Sequence, residues 1–199
     1  MTRRPVPRKL RHAARLSSRQ LPPGLPPVLV FTDPVRGAPV LELADSLPPG
    51  WGVVFRHFGA KDRAETAARL ARIAVARHLK LLIGADPELA RSVGADGVHW
   101  PEARIADARK WAGRFALMTA SAHSPDALFG KPPVGIDARV FSTVFPSRSP
   151  SAGDPRGAIR FRRLCARARL PVYGLGGITP ANAPQICRSS GLAGVSLLD

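Results

Sequence analysis

Small and basic residues recur in the second half of the chain in groups that suit the binding of phosphate. Gly176 and Gly177 precede Thr179-Pro180, a dipeptide typical of the first turn of a helix. Backbone N–H groups and the positive dipole end at a helix start bind anions, and glycine lets the backbone approach them closely. We therefore predict that Gly176 and Gly177 bind phosphate, with a tight turn that holds no ligand as the alternative.

A second candidate phosphate site is the segment Ser147-Arg148-Ser149, which lies in a long stretch between predicted elements. Two hydroxyls and a guanidinium can together donate several hydrogen bonds to phosphate oxygens. Long loops within compact domains are usually either functional or disordered. We predict that Ser147, Arg148 and Ser149 bind a second phosphate group, and a solvated loop is the alternative.

His123 and Arg56 are the candidates for a direct part in a reaction, and each follows an apolar run. His123 has serines close to it, and an imidazole in such a place could act as a general acid or base. Arg56 could stabilise negative charge on a substrate. Ser196, near the end of the sequence, adds a hydroxyl to the set. His99 instead ends a run that is predicted to be buried, so a hydrogen-bonded core imidazole is the favoured interpretation.

Eight short apolar runs, which alternate with helical segments, must position these residues. The runs are residues 28–31, 51–55, 79–83, 95–99, 115–119, 138–141, 171–175 and 193–197. Such alternation predicts a parallel sheet, and eight units predict a compact (β/α)8 TIM barrel, with a doubly wound open sheet as the alternative. Function in such barrels lies at the carboxyl ends of the strands, so the candidate residues are expected at one mouth. The sequence ends directly after the eighth run, so the last helix is expected to be missing.

The first 27 residues differ in composition from the rest of the chain. Seven Lys and Arg residues and no acid precede Asp33, and six prolines interrupt the segment. We predict a basic arm over residues 1–27 that lies outside the core, and a barrel domain over residues 28–199. The arm, or a partner subunit in a homodimer, would have to cover the flank that the missing last helix leaves open. A cleaved targeting peptide is the alternative interpretation of the arm.

The overall composition excludes several classes of protein. The chain has 199 residues, 45% of them hydrophobic, and none of its apolar runs approaches the ~18 residues that a membrane span needs. Two cysteines without a CxxC pattern argue against a disulfide scaffold or a cysteine zinc site and favour the cytoplasm. A net charge of +16 suggests nucleic acid. With 6% aromatic residues and no stacking motif, however, nucleic acid is the least favoured partner.

Four motifs, in this order, resemble those of the thiamine phosphate synthase / TenI family. They are Gly-Ala-Asp-Gly-Val-His at 94–99, Ser-Ala-His-Ser at 121–124, Val-Phe-Pro at 144–146 and Gly-Gly-Ile at 176–178. Members of this family are (β/α)8 barrels. Its synthases join a hydroxymethylpyrimidine pyrophosphate to a thiazole phosphate with magnesium, whereas TenI members isomerise the thiazole with a histidine as acid and base.

The resemblance implies roles for the candidate residues. Gly176 and Gly177 would hold the thiazole phosphate, and His123 would lie beside the thiazole. Arg56 and the serines of the 147–149 segment would face the pyrophosphate.

The sequence departs from the family pattern where the magnesium ligands are expected. Gly84-Ala85 replaces the usual Asn-Asp after the third strand, which leaves Asp86 as the one substitute ligand there. Arg104 stands in the place of an acid after the fourth strand. We therefore expect a divergent, thiamine phosphate synthase-like transferase of thiamine biosynthesis, whose usual magnesium ligands are absent. A TenI-like tautomerase or a non-catalytic phosphate-ligand binder is the alternative, and a basic nucleic-acid-binding protein is the second alternative.

Overall fold

The computed structural model describes residues 5–35, 38–149, 152–195 and 197–198, and it shows a closed barrel of eight parallel strands. The strands are β1 Val28–Phe31, β2 Gly52–Phe55, β3 Lys80–Gly84, β4 Gly97–Trp100, β5 Leu117–Ala122, β6 Ala138–Ser142, β7 Val172–Leu175 and β8 Gly191–Gly194. Each strand pairs with the next, and β8 pairs with β1 in the register of Leu192 with Val28. The predicted TIM barrel is confirmed. The alternative of an open sheet is wrong, because an open sheet leaves its edge strands unpaired.

Helices of unequal length lie outside the strands. They are α1 Arg8–Ser18, α2 Val40–Ser46, α3 Arg63–Arg77, α4 Pro87–Ser92, α5 Asp126–Phe129 and α6 Gly157–Arg167. A kinked 3₁₀ segment, Glu102–Trp111, replaces a helix after β4, and a 3₁₀ turn, Ala183–Gln185, follows β7. Among the described residues, no helix combines the length and the apolar character that crossing a bilayer requires.

The core has two parts, because successive side chains of a strand point to opposite faces of the sheet. One buried cluster fills the barrel and includes Leu29, Phe31, Val54, Leu82 and Tyr173. The other forms where the outward side chains of the strands pack against the helices. Side chains alternate between inside and outside along each strand. Beyond the carboxyl end of a strand, a side chain that falls on the inward position is therefore directed into the mouth of the barrel.

Helix α1 is part of the core, and the expectation of an arm outside the core is wrong for this helix. In α1, Leu10, Ala13, Ala14 and Ser17 are buried, and the helix lies against β8 and the 3₁₀ turn that follows β7. Their spacing places them on one helical face. The free energy gained by burying this face is larger than the repulsion among the basic side chains on the opposite, exposed face. Helix α1 thus covers the flank beside β8 that the arm or a partner subunit had to cover.

Residues between α1 and β1 close the amino-terminal end of the barrel. Leu21 and Leu25 pack against the interior cluster, and the hydroxyl of Tyr173 donates a hydrogen bond to the carbonyl of Pro26 at 2.7 Å. The division of the chain at residue 28 stays a prediction, since the segment before it packs on both the outside and the inside of the barrel.

Replacing Leu10 with alanine should lower the free energy of unfolding by about 2–5 kcal/mol. Leu10 is fully buried, so its truncation loses transfer free energy and leaves a cavity. Urea denaturation measures the change. Arg11→Ala on the exposed face of α1 is the matched control and should alter stability by less than about 0.5 kcal/mol. Equally small effects of the two substitutions would show that α1 does not pack on the barrel in solution.

Candidate functional site

The structure brings most of the candidate residues to the carboxyl-terminal mouth of the barrel. They are Arg56 after β2, Asp86 after β3, His123 after β5, Ser147, Arg148 and Ser149 after β6, and Gly176 and Gly177 after β7. Ser196 lies outside the described residues. Because all eight strands are parallel, these positions share one surface.

The turn after β7 packs directly against the loop after β6. Gly176 and Gly177 have φ values of +95° and +62°, and a Cβ on Gly177 would lie 2.2 Å from the carbonyl oxygen of Pro146. The N–H of Phe145 donates to the carbonyl of Gly176 at 3.0 Å. Glycine is therefore required here by the geometry of the chain, before any ligand is considered.

The same turn leaves backbone donors at the mouth. Within the described part of the chain, the N–H groups of Gly177 and Ile178 have no acceptor. Asn182 holds the turn, because its Nδ2 donates to the carbonyl of Gly177 at 2.8 Å and its Oδ1 accepts the N–H of Thr179 at 2.8 Å. Successive N–H groups in such a turn form a concave site for an anion.

The helix dipole that the sequence suggested at this turn is a wrong expectation. Thr179 and Asn182 do exchange the hydrogen bonds that cap a helix, but the segment continues only as the 3₁₀ turn Ala183–Gln185. A single turn aligns too few peptide units to carry a substantial dipole. The case for an anion site therefore depends on the unpaired N–H groups.

The loop after β6 lies beside this turn and carries the serine and arginine candidates. Ser147 and Ser149 are half-buried, Arg148 is exposed, and the N–H of Ser149 donates to Ser147 Oγ at 3.2 Å. Thr143 secures the base of the loop, because its Oγ1 accepts the N–H of Gly153 at 3.1 Å. The structure thus places the 147–149 segment and the glycine pair on the same side of the mouth.

His123 is exposed at the end of β5 and is held from two sides. Its Nδ1 lies 3.1 Å from Ser142 Oγ, and its backbone N–H donates to Glu102 Oε2 at 2.9 Å. The other oxygen of Glu102 lies 4.0 Å from Nη2 of Arg139, a buried residue of β6. A hydroxyl that is hydrogen-bonded to one ring nitrogen orients the imidazole, and general acid–base catalysis requires such a fixed orientation.

His99 is the hydrogen-bonded core imidazole that the sequence favoured. Its ring nitrogens lie 2.9 Å from Thr119 Oγ1 and 3.1 Å from Ser121 Oγ, and its ring meets that of Phe31 edge to face. Burial, helped by the positive charge of Arg56, lowers the pKa of His99 to about 3. The imidazole is therefore neutral at physiological pH.

Arg56 lies at the top of the barrel interior. Its guanidinium carbon is 5.4 Å from the ring centroid of Phe31, a member of the interior cluster. Its Nε donates to the carbonyl of Thr32 at 3.0 Å, and its Nη2 lies 3.9 Å from Asp33. These contacts hold the guanidinium at the mouth, where it can bind an anionic ligand.

Three residues that contact the candidate residues or their neighbours were not identified as such from the sequence. Ser142 orients His123, Arg139 faces Glu102, and Arg63 binds Asp86. Arg139 could have been found, because a charged residue interrupts an otherwise apolar run there. The other two carry no signal, since their partners are 19 and 23 residues away along the chain.

A family model described as thiamine monophosphate synthase matches residues 43–199. The chain belongs to this family. It is 37% identical over 138 residues to the thiamine biosynthesis bifunctional protein ThiM/ThiE of Symbiobacterium thermophilum. The matched residues make up 67% of this chain and 28% of that protein. It is 27% identical over 150 residues to the thiamine-phosphate synthase of Lactococcus lactis subsp. lactis, over 74% of this chain and 68% of the relative. In three other relatives the matched region spans between 62% and 66% of the relative's own length.

Solved structures share the fold of this thiamine monophosphate synthase family member. Thiamine phosphate pyrophosphorylase from Pyrococcus furiosus matches with a TM-score of 0.72 at 21% identity, over 86% of this chain and 85% of that one. The citrate synthase SbnG matches with a TM-score of 0.57 at 14% identity, over 85% and 86%. At such identities the likeness supports the barrel alone.

The thiamine monophosphate synthase family implies magnesium, but the side chains at this mouth do not fit the ion. Asp86 Oδ1 accepts the N–H of Leu89 at 3.0 Å as a helix cap, and its Oδ2 pairs with Arg63. Glu102 accepts the N–H of His123. In the part of the chain that the structure describes, no three His, Cys, Asp or Glu side chains form a group that could hold a metal. Magnesium binds carboxylate and water oxygens, and the carboxylates of Asp86 and Glu102 are already engaged.

Buried His99 should make the stability of the fold decrease at low pH. Because burial lowers its pKa from 6.5 to about 3, the unfolded chain binds a proton in this interval that the native protein excludes. The free energy of unfolding should fall as the pH falls from 6.5 towards 3, and His99 contributes up to about 1.4 kcal/mol per pH unit. Urea denaturation of the wild type and of His99→Gln across this range measures the effect. Identical pH dependence of the two proteins would contradict a neutral, buried His99.

Gly177→Ala should destabilise the protein more than Gly94→Ala. Both glycines have similar positive φ values, +62° and +68°, so both substitutions incur the cost of left-handed backbone, about 1–2 kcal/mol. A methyl at Gly94 meets nothing within 4 Å, whereas one at Gly177 meets the carbonyl oxygens of Phe145 and Pro146. The crowding should add about 1–3 kcal/mol, measured by thermal or urea denaturation. Equal costs would show that the β7 turn does not pack against the β6 loop.

Proposed function

We propose that the protein is a thiamine phosphate synthase-like transferase that joins hydroxymethylpyrimidine pyrophosphate to a thiazole phosphate. The observation that carries the proposal is the pair of N–H groups of Gly177 and Ile178, which have no acceptor among the described residues. The turn that carries them packs against Phe145 and Pro146, which directly precede the 147–149 segment. Membership of the thiamine monophosphate synthase family supports these substrates.

The proposed reaction transfers the pyrimidinylmethyl group from a pyrophosphate oxygen to the thiazole nitrogen. The thiazole nitrogen forms a bond to the methylene carbon of the pyrimidine, and the bond from that carbon to the pyrophosphate oxygen breaks. The electron pair leaves with pyrophosphate, so negative charge grows there and must be stabilised. Arg56, Ser147, Arg148 and Ser149 are the groups that we assign to this task.

The thiazole phosphate is assigned to the turn after β7. The N–H groups that follow Gly176 would bind its oxygens, and this places the thiazole ring towards the centre of the mouth, where His123 lies. Ser196 stays a prediction as a further phosphate ligand. No step of this scheme needs a magnesium ion held by the chain itself.

Thiazole isomerisation of the TenI type is a second candidate, and the hydrogen bond between His123 and Ser142 favours it. Isomerisation requires proton transfer at the thiazole and no leaving group. An exposed imidazole with one nitrogen oriented by a hydroxyl suits such a transfer. This activity would use the same phosphate site at Gly177.

We further propose a cytoplasmic protein whose ligands are small phosphorylated molecules. Cys165 and Cys187 are unpaired, as is usual in a reducing compartment. A homodimer remains a prediction. Because α1 covers the flank beside β8, that flank no longer requires a second subunit.

An assay of both activities tests the proposal. The full-length protein is incubated with both phosphorylated precursors, with and without magnesium, and thiamine phosphate is measured by chromatography. Thiazole isomerisation is followed separately by NMR. His123→Gln should lower isomerisation by about 10²–10⁴-fold, because it removes the acid–base group, but condensation by less than about tenfold. His12→Gln, on the exposed face of α1, is the control and should change neither rate.

Formation of thiamine phosphate supports the first candidate. Isomerisation without condensation would replace it with the second. Turnover of neither substrate, in a protein that still binds thiazole phosphate, would contradict both activities and leave a binding protein.

A further inference from the structure

Three arginine side chains converge on the backbone turn that follows β3. Nη2 of Arg63 donates to the carbonyl of Gly84 at 3.1 Å, and Nη1 of Arg104 donates to the carbonyl of Ala85 at 3.1 Å. The side chain of Arg56 passes over the same turn, because its Cγ lies 3.4 Å from the position that a Cβ on Gly84 would occupy. The guanidinium groups of Arg63 and Arg104 therefore bind this turn, whereas the guanidinium of Arg56 lies towards the end of β1, at the carbonyl of Thr32.

The oxygen atoms that this turn could offer to a metal ion already accept hydrogen bonds. The carbonyls of Gly84 and Ala85 face arginines, Asp86 Oδ2 pairs with Arg63, and Asp86 Oδ1 caps α4. A divalent cation would have to enter next to two fixed positive charges, and its repulsion from them is strong where water is partly excluded. Binding of a cation at this turn is thus disfavoured, and binding of an anion is favoured.

Arg104 has hydrogen-bond donors to spare at this place. A guanidinium carries five N–H donors, and the described acceptors of Arg104 are the carbonyl of Ala85 and the carboxylate of Asp107. Its side chain is 51% exposed, and its guanidinium carbon lies 5.8 Å from the ring centroid of Trp100. The carbonyl and the indole ring fix the orientation of the guanidinium, and the described residues leave its remaining donors available to a ligand.

We propose that Arg104 supplies the positive charge that a divalent cation would otherwise bring to this mouth, and that with Arg56 it binds a pyrophosphate group without a metal ion. Arg63 has a different part, because it neutralises Asp86 and holds the turn. A planar guanidinium can donate two parallel hydrogen bonds to phosphate oxygens, which makes arginine suited to this task. The choice of a pyrophosphate ester as ligand rests on the proposed function, whereas the anion site itself can be probed with inorganic pyrophosphate.

Calorimetric titration of the full-length protein with inorganic pyrophosphate tests the proposal. We expect binding in the presence of EDTA, and we expect that excess magnesium, after correction for the heat of magnesium pyrophosphate formation, does not tighten it. Arg104→Gln should weaken binding about tenfold or more, because it removes a charge-assisted, two-point contact. Arg104→Lys keeps the charge but loses the planar fork, and it should bind with intermediate affinity.

Two further variants serve as matched controls on the same 3₁₀ segment. Arg109→Gln removes an exposed arginine of the segment Glu102–Trp111 and should bind pyrophosphate like the wild type. Asp107→Asn removes the carboxylate that competes for Arg104, so it should bind pyrophosphate at least as tightly as the wild type. If Arg104→Gln and Arg109→Gln weakened pyrophosphate binding equally, the loss would be due to the lower net charge of the protein. This result would overturn the assignment of Arg104.

Binding that requires magnesium, or unchanged binding by Arg104→Gln, would also overturn the proposal. Thiazole phosphate is titrated in parallel, because it is assigned to the turn at Gly177 and not to Arg104. Failure of the wild type to bind thiazole phosphate would contradict the proposed function while leaving the pyrophosphate result intact. Normal binding of thiazole phosphate together with a metal requirement for pyrophosphate would contradict this inference alone.

Discussion

The pairing of β8 with β1 is the interaction on which the rest of the structure depends. It joins the last strand of the chain to the first, with Leu192, Ala193 and Gly194 opposite Val28, Leu29 and Val30. The outer face of β8 is covered by α1, so the N-terminal segment stabilises the C-terminal strand. In an open sheet the turn after β7 and the loop after β2 would lie near opposite edges. Closure places Gly177 and Arg56 around one mouth.

This mouth offers two different means of binding phosphate. On the β6–β7 side the donors are backbone N–H groups, serine hydroxyls and the exposed guanidinium of Arg148, whereas on the β2–β4 side they are guanidinium groups alone. The carboxylates on the second side, Asp86 and Glu102, are engaged with arginines and backbone N–H groups. The positive net charge of the chain therefore has a local counterpart at the mouth, where we propose that Arg104 supplies the charge that a metal ion would otherwise bring.

The strand pattern could be predicted from the sequence because apolar runs mark buried strands. The run at 28–31 coincides with β1, but the last run, at 193–197, was placed too late. The pairing with β1 selects Gly191–Gly194 instead, and glycine carries no apolar signal. The burial of α1 was missed because positive charges and prolines obscured the spacing of Leu10, Ala13 and Ala14.

At the site, the sequence showed which residues lie at the ends of strands, because the barrel places them there. Their partners could not be predicted in the same way. Asp86 suggested a metal ligand, yet Arg63 reaches it from the start of α3, and no local pattern encodes a contact between segments that distant. The exposure of His123 and its contact with Ser142 likewise depend on how β5 and β6 pair.

A crystal structure of the protein with thiazole phosphate and inorganic pyrophosphate, grown with magnesium present, tests the account most directly. We expect thiazole phosphate on the N–H groups of Gly177 and Ile178, and pyrophosphate on Arg56 and Arg104 with no metal ion bound to the chain. A magnesium ion ligated by Asp86, with pyrophosphate away from Arg104, would contradict it.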